Sequence, residues 1–122
     1  MTVIAQECLG IHDPHDCTDS SDELPILNAI YDTLVRRVGQ DFVPHLAQRW
    51  EVSSDARTWT FYLQPDVTFH DGSTCDATAV AQSLRRMARQ DKGYTLGAPA
   101  VWRQFLGGTA INIPDAGTIV LT

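Results

Sequence analysis

Between Arg57 and Gln64 large apolar side chains alternate with smaller or more polar ones, Trp59, Phe61 and Leu63 interleaving with Thr58, Thr60 and Tyr62. Successive side chains of an extended strand point to opposite faces, so this period of two predicts a strand with one buried face. Val67 and Phe69 are expected to continue it after a turn at Pro65-Asp66. Asp76 is well placed to cap a helix running to about Arg89, with Val80, Leu84 and Met87 as its apolar stripe. This helix is expected to pack on the sheet, with Val80 and Leu84 on the buried side shared by Trp59, Phe61 and Leu63.

The rest of the chain supplies weaker signals of both periods. Val3 to Ala5 reads as a short strand, and Gly10 to Ser21, with its His, Asp, Ser and Thr residues around Pro14, as an irregular loop. A first helix is expected after a cap at Ser21 or Asp22, with Pro25 in its first turn. Leu27, Ile30, Tyr31, Leu34, Val35 and Val38 would share one face, and Gly39 would end it. Phe42 to Trp50, containing Pro44, is expected to form a short helical turn that tucks Leu46 and Trp50 into the core. Lys92 to Pro99 is turn-rich, Val101 to Leu106 suits a third short helix, and Ala110 to Thr122 suits a hairpin turning at Pro114 to Gly117. Ile119, Val120 and Leu121 at the carboxyl end read as a place where a larger sheet continues.

Composition narrows the class of protein. In 122 residues, 43% hydrophobic and 20% charged, one modest core can be buried. A formal charge of -6 disfavours a nucleic-acid backbone as the main partner, since phosphates call for clustered cations. The one basic cluster, Arg85, Arg86 and Arg89, reads as a solvated helix face. No stretch approaches the roughly 18 to 20 apolar residues that cross a bilayer. The residues after Met1 lack the basic start and long apolar run of a secretory leader, which suits either a chain lacking its leader or a cytoplasmic one. Of Cys8, Cys17 and Cys75, the first two could close a small loop as a disulfide. The alternative is free thiols, with Cys8 or Cys75 acting as a small buried apolar group.

Four stretches together carry a resemblance. They are Tyr31-Asp32-Thr33-Leu34-Val35, Val43-Pro44-His45-Leu46-Ala47-Gln48-Arg49-Trp50-Glu51-Val52-Ser53, Thr58-Trp59-Thr60-Phe61-Tyr62-Leu63, and Val67-Thr68-Phe69-His70-Asp71-Gly72. Asp13-Pro14-His15 upstream and Asp76-Ala77-Thr78-Ala79-Val80-Ala81-Gln82-Ser83-Leu84 downstream keep the same order and spacing. The chain resembles the large peptide- and nickel-type periplasmic binding proteins of ATP-binding-cassette importers, solute-binding protein family 5. It departs from the usual pattern at Ile11-His12, at Ala56, where a turn glycine is usual, and at Thr78-Ala79, where an acidic pair generally opens the helix.

The resemblance implies an α+β piece of a two-lobed, type II periplasmic-binding-protein fold, with a mixed sheet and packed helices, drawn from the amino-terminal lobe. Residues 1–50 would hold a first-lobe strand, loop and helix, and residues 51–122 a β-rich subdomain with a helix over 76–90. It further implies binding rather than catalysis, with a peptide or similar solute and a membrane permease as partners. The setting would be periplasmic or extracellular, with lipid anchoring an option for the parent. A ligand-sensing domain of a transcription regulator and a nickel-chelate receptor are the alternatives. Trp102, Asp19 and Ser20 are the candidate substrate contacts, with plain packing as the other reading of Trp102.

No cofactor is expected, and no metal. His12, Asp13, His15, Asp16, Cys17 and Asp19 bring together imidazole, thiolate and carboxylate donors, but without a recognised structural-zinc spacing, and they read as ordinary loop residues. His70-Asp71-Gly72 could pass for half of an acid-base pair, yet neighbours on a strand point apart, so a strand-ending turn is the better account. The chain lacks the GxSxG and P-loop fingerprints.

Overall fold

The computed structural model describes residues 13–16, 23–88 and 103–122. The chain divides into two compact units, one of Met1–Tyr31 with Arg86–Gly107 and one of Asp32–Arg85 with Gly108–Thr122. The expected strand at Val3 to Ala5 and the turn-rich stretch Lys92 to Pro99 lie outside the described residues.

The second unit carries the sheets. A two-stranded ribbon pairs β1 (Val35–Val38) with β2 (Asp41–Pro44), and a four-stranded antiparallel sheet runs in the order β3-β4-β6-β5, from β3 (Ala47–Val52), β4 (Trp59–Leu63), β5 (Ile111–Asp115) and β6 (Thr118–Leu121). The pairing fixes which side chains share a face. Trp50 lies opposite Phe61, and Phe61 opposite Ile119, so these three look the same way. Arg49, opposite Tyr62, looks the other way, and its guanidinium lies 3.3 Å from the centroid of that ring.

Helix α2 (Ala77–Met87) closes the apolar face. Ala77, Val80 and Ala81 are buried against Leu63 (4% exposed) and Ile119 (0% exposed), with Leu84, Cys75, Ile111, Ile113 and Leu121 around them. Alanines at 77 and 81, one turn apart, bring the helix axis close to the sheet. Burying a side chain of the size of Ile119 or Leu63 contributes roughly 1.5–3 kcal/mol. The predicted cap is present: Asp76 Oδ1 accepts the backbone N–H of Ala79 at 2.9 Å. The same helix end is tied to the β5–β6 turn, where the Ala77 N–H donates to the Ala116 carbonyl at 2.8 Å.

The β4 register is as predicted, with one difference in burial. Phe61 and Leu63 are buried, while Trp59 shares their face, stacking on Phe61 with ring centroids 6.3 Å apart, yet is 40% exposed. Trp59 opens the strand and lies outside the cluster packed under α2; its indole N–H donates to the Ala56 carbonyl at 3.3 Å. Trp50 is half-buried.

Three expectations are corrected. The first helix, α1 (Glu23–Ile30), stops well before Gly39: the Tyr31 N–H makes a last helical bond to Leu27, and Val35 to Val38 are strand, not helix. The N–H groups of Leu46 and Ala47 instead donate to the carbonyls of Thr33 and Leu34. Gly39, with φ of +62°, sits in the two-residue turn between β1 and β2. A helix-ending glycine and a hairpin glycine both need positive φ, so that residue fits either reading, and the β-branched Val35, Val38 and Val43 favour the ribbon.

The second correction concerns Phe42 to Trp50, which form the end of β2 and most of β3 rather than a helical turn. Pro44 is tolerated there because it closes a strand in a two-stranded ribbon. Leu46 nevertheless packs against the core, as expected. The third concerns Phe69, which is exposed. Between Val67 and Cys75 the chain forms an isolated bridge, Thr68 to Thr74, around a tight turn in place of a continued strand.

In the first unit, α1 leaves Leu24 and Ile30 exposed and half-buries Ile26 and Leu27. A helical turn at 103–106 agrees with the third short helix, and Gly107 follows it, its N–H donating to the Arg103 carbonyl at 2.8 Å.

Candidate functional site

Asp19, Ser20 and Trp102 lie outside the described residues, as do His12, Cys8, Cys17 and Arg89. What the structure does bring together is Asp13, His15 and Arg86. Asp13 precedes the 3-10 turn Pro14–Asp16, and its Oδ1 accepts the backbone N–H of His15 at 3.0 Å, a local bond that suits an Asp before a turn. From 73 residues further along the chain, Arg86 near the end of α2 grips the same carboxylate with both terminal nitrogens, Nη1 to Oδ1 at 2.7 Å and Nη2 to Oδ2. The Asp13 side chain is only 10% exposed, and this planar two-point match is the strong form of a carboxylate–guanidinium pair.

Nη1 of Arg86 also lies 2.7 Å from Nδ1 of His15. A guanidinium can only donate, so Nδ1 is the acceptor and the His15 imidazole carries its proton on Nε2. Asp13 and His15, two of the six residues weighed as metal donors, thus face a cation. Among the described residues no group of three His, Cys, Asp or Glu side chains is placed to hold a metal ion.

The basic cluster is more than a solvated face. Arg86 is committed to Asp13, and Arg85 donates through Nη2 to the Ile111 carbonyl at 3.2 Å, joining α2 to β5. Sequence reasoning missed both roles, because partners 73 and 26 residues away leave no local signature.

His70-Asp71-Gly72 is a turn, as predicted. Asp71 Oδ1 accepts the Ser73 hydroxyl at 2.6 Å and its backbone N–H at 2.9 Å, which hold the carboxyl below its usual range. Gly72 has φ of +84°, a backbone state that suits glycine. Asp55 plays the same part between β3 and β4: the Ser53 hydroxyl first, then the Arg57 N–H, lower its carboxyl. Cys75 is a half-buried free thiol whose pKa is pushed up by burial and, less, by Asp76 and Asp32. These carboxylates build turns, and burial disfavours the thiolate form of Cys75.

This α+β architecture is that of part of a two-lobed periplasmic binding protein. Over 97% of this chain, with a TM-score of 0.76 and 27% identity, it matches the binding protein MoaA of A. tumefaciens R10, solved in complex with mannopinic acid. A probable peptide ABC transporter periplasmic-binding protein of Sinorhizobium fredii is 35% identical over 91 residues, 74% of this chain. A nickel-binding periplasmic protein of Escherichia coli K12 is 40% identical over 57 residues, 46% of this chain. The chain spans 24% of MoaA, 17% of the Sinorhizobium protein and 11% of the Escherichia coli protein. The profile of the bacterial extracellular solute-binding proteins, family 5, middle region, matches residues 41–122, more than half of the chain. The chain belongs to that family. Among the described residues no helix is long and apolar enough to cross a membrane.

Proposed function

We propose that this chain is part of the amino-terminal lobe of an extracytoplasmic solute-binding protein, which captures peptides or a similar solute and delivers it to the membrane permease of an ABC importer. The observation that carries this reading is the family match over 41–122, which takes in the whole β3-β4-β6-β5 sheet and α2. Its activity is binding, not catalysis. A receptor of this kind works by differential affinity: solute favours the closed arrangement of two lobes, and the permease reads that state. Asp19, Ser20 and Trp102 remain the proposed solute contacts, and the parent's setting is periplasmic, or lipid-anchored at the surface of a single-membrane cell.

A nickel-chelate receptor is the second reading, favoured by the 40% identity to the nickel-binding protein. Native mass spectrometry of the full-length protein separates the two. Peptide masses released on denaturation support the first, and a nickel complex held through buffer exchange supports the second. A reading frame that begins with a DNA-binding segment and lacks any leader would instead point to a ligand-sensing regulator.

A further inference from the structure

We draw no further inference here: the strongest candidate, the apolar corner of the four-stranded sheet where Val52 and Trp59 lie exposed beside Phe61, outside the cluster packed under α2, carries nothing because nothing in the structure shows what covers it.

Discussion

Arg86 holds the carboxylate of Asp13 with both terminal nitrogens, joining a loop near the start of the chain to the end of α2 across 73 residues. A bidentate, charge-assisted pair with one partner 10% exposed stabilises well beyond a surface ion pair. Arg86→Met and Asp13→Asn should each cost about 1–3 kcal/mol. In a double-mutant cycle read by urea unfolding, their coupling should be about 1 kcal/mol or more, whereas additivity within about 0.3 kcal/mol would show that the pair contributes nothing of its own.

The sheet register predicts a sharp contrast between neighbours. Ile119 is fully buried under α2, and Val120 points to the opposite face, across from Thr60. Ile119→Ala should destabilise by about 2–5 kcal/mol, and Val120→Ala by well under half of that. Equal losses in thermal unfolding would mean that β6 is displaced by one residue from the pairing described.

Ala56 occupies the left-handed region with φ of +57°, in the turn between β3 and β4, at the position where the resemblance places a glycine. Left-handed backbone costs a residue with a Cβ about 1–2 kcal/mol. Glycine loses about 0.4–1 kcal/mol through its freer unfolded chain. Ala56→Gly should therefore stabilise by about 0.5 kcal/mol. Denaturant midpoints measured at unchanged m-value decide this, and a fall in midpoint would rule out strain at Ala56.

Cys75 gives the pH-dependent test. Its thiol is pushed up in the folded protein by burial, so the native state keeps the proton to a higher pH than the unfolded state does. Stability is thus full below the unfolded thiol's pKa and declines as pH rises above it, because the unfolded chain releases a proton that the native chain retains. In a Cys8→Ser/Cys17→Ser background, iodoacetamide should alkylate Cys75 more slowly than a free thiol between about pH 7 and 9 and reach the free rate in urea. A native rate equal to the free rate would contradict the burial of this side chain.

Strong local signals explain which parts were legible in the sequence. The alternation at 59–63, the Asp76 cap with Val80 and Leu84 behind it, and the hairpin at 111–121 each rest on a periodicity or a turn residue with one structural solution, and all three are present. The failures share a physical cause. Leu34, Val35 and Val38 fit a helical face as well as a ribbon, and only the carbonyls of Thr33 and Leu34 meeting Leu46 and Ala47 decide for extended chain. Trp59 has the right face but stands at the strand's open end, which alternation alone does not reveal. Of the candidate site, Asp13-Pro14-His15 was legible only as part of an irregular loop, and neither its 3-10 turn nor its partner Arg86 was, since a contact across 73 residues is a property of the fold.

Under the proposed function, the chain is one part of a solute receptor whose ligand is held between two lobes. A solute buried on both sides draws its contacts from both, and each tenfold in affinity is about 1.4 kcal/mol, so one part alone keeps little of the binding free energy. Isothermal titration of this 122-residue chain and of its full-length parent with the same defined di- and tripeptides tests this directly. The parent should bind at about micromolar affinity or tighter while the chain alone gives no measurable heat. Comparable affinity in both would place the whole site within these residues, and no binding by the parent to any peptide would contradict the peptide-receptor reading itself.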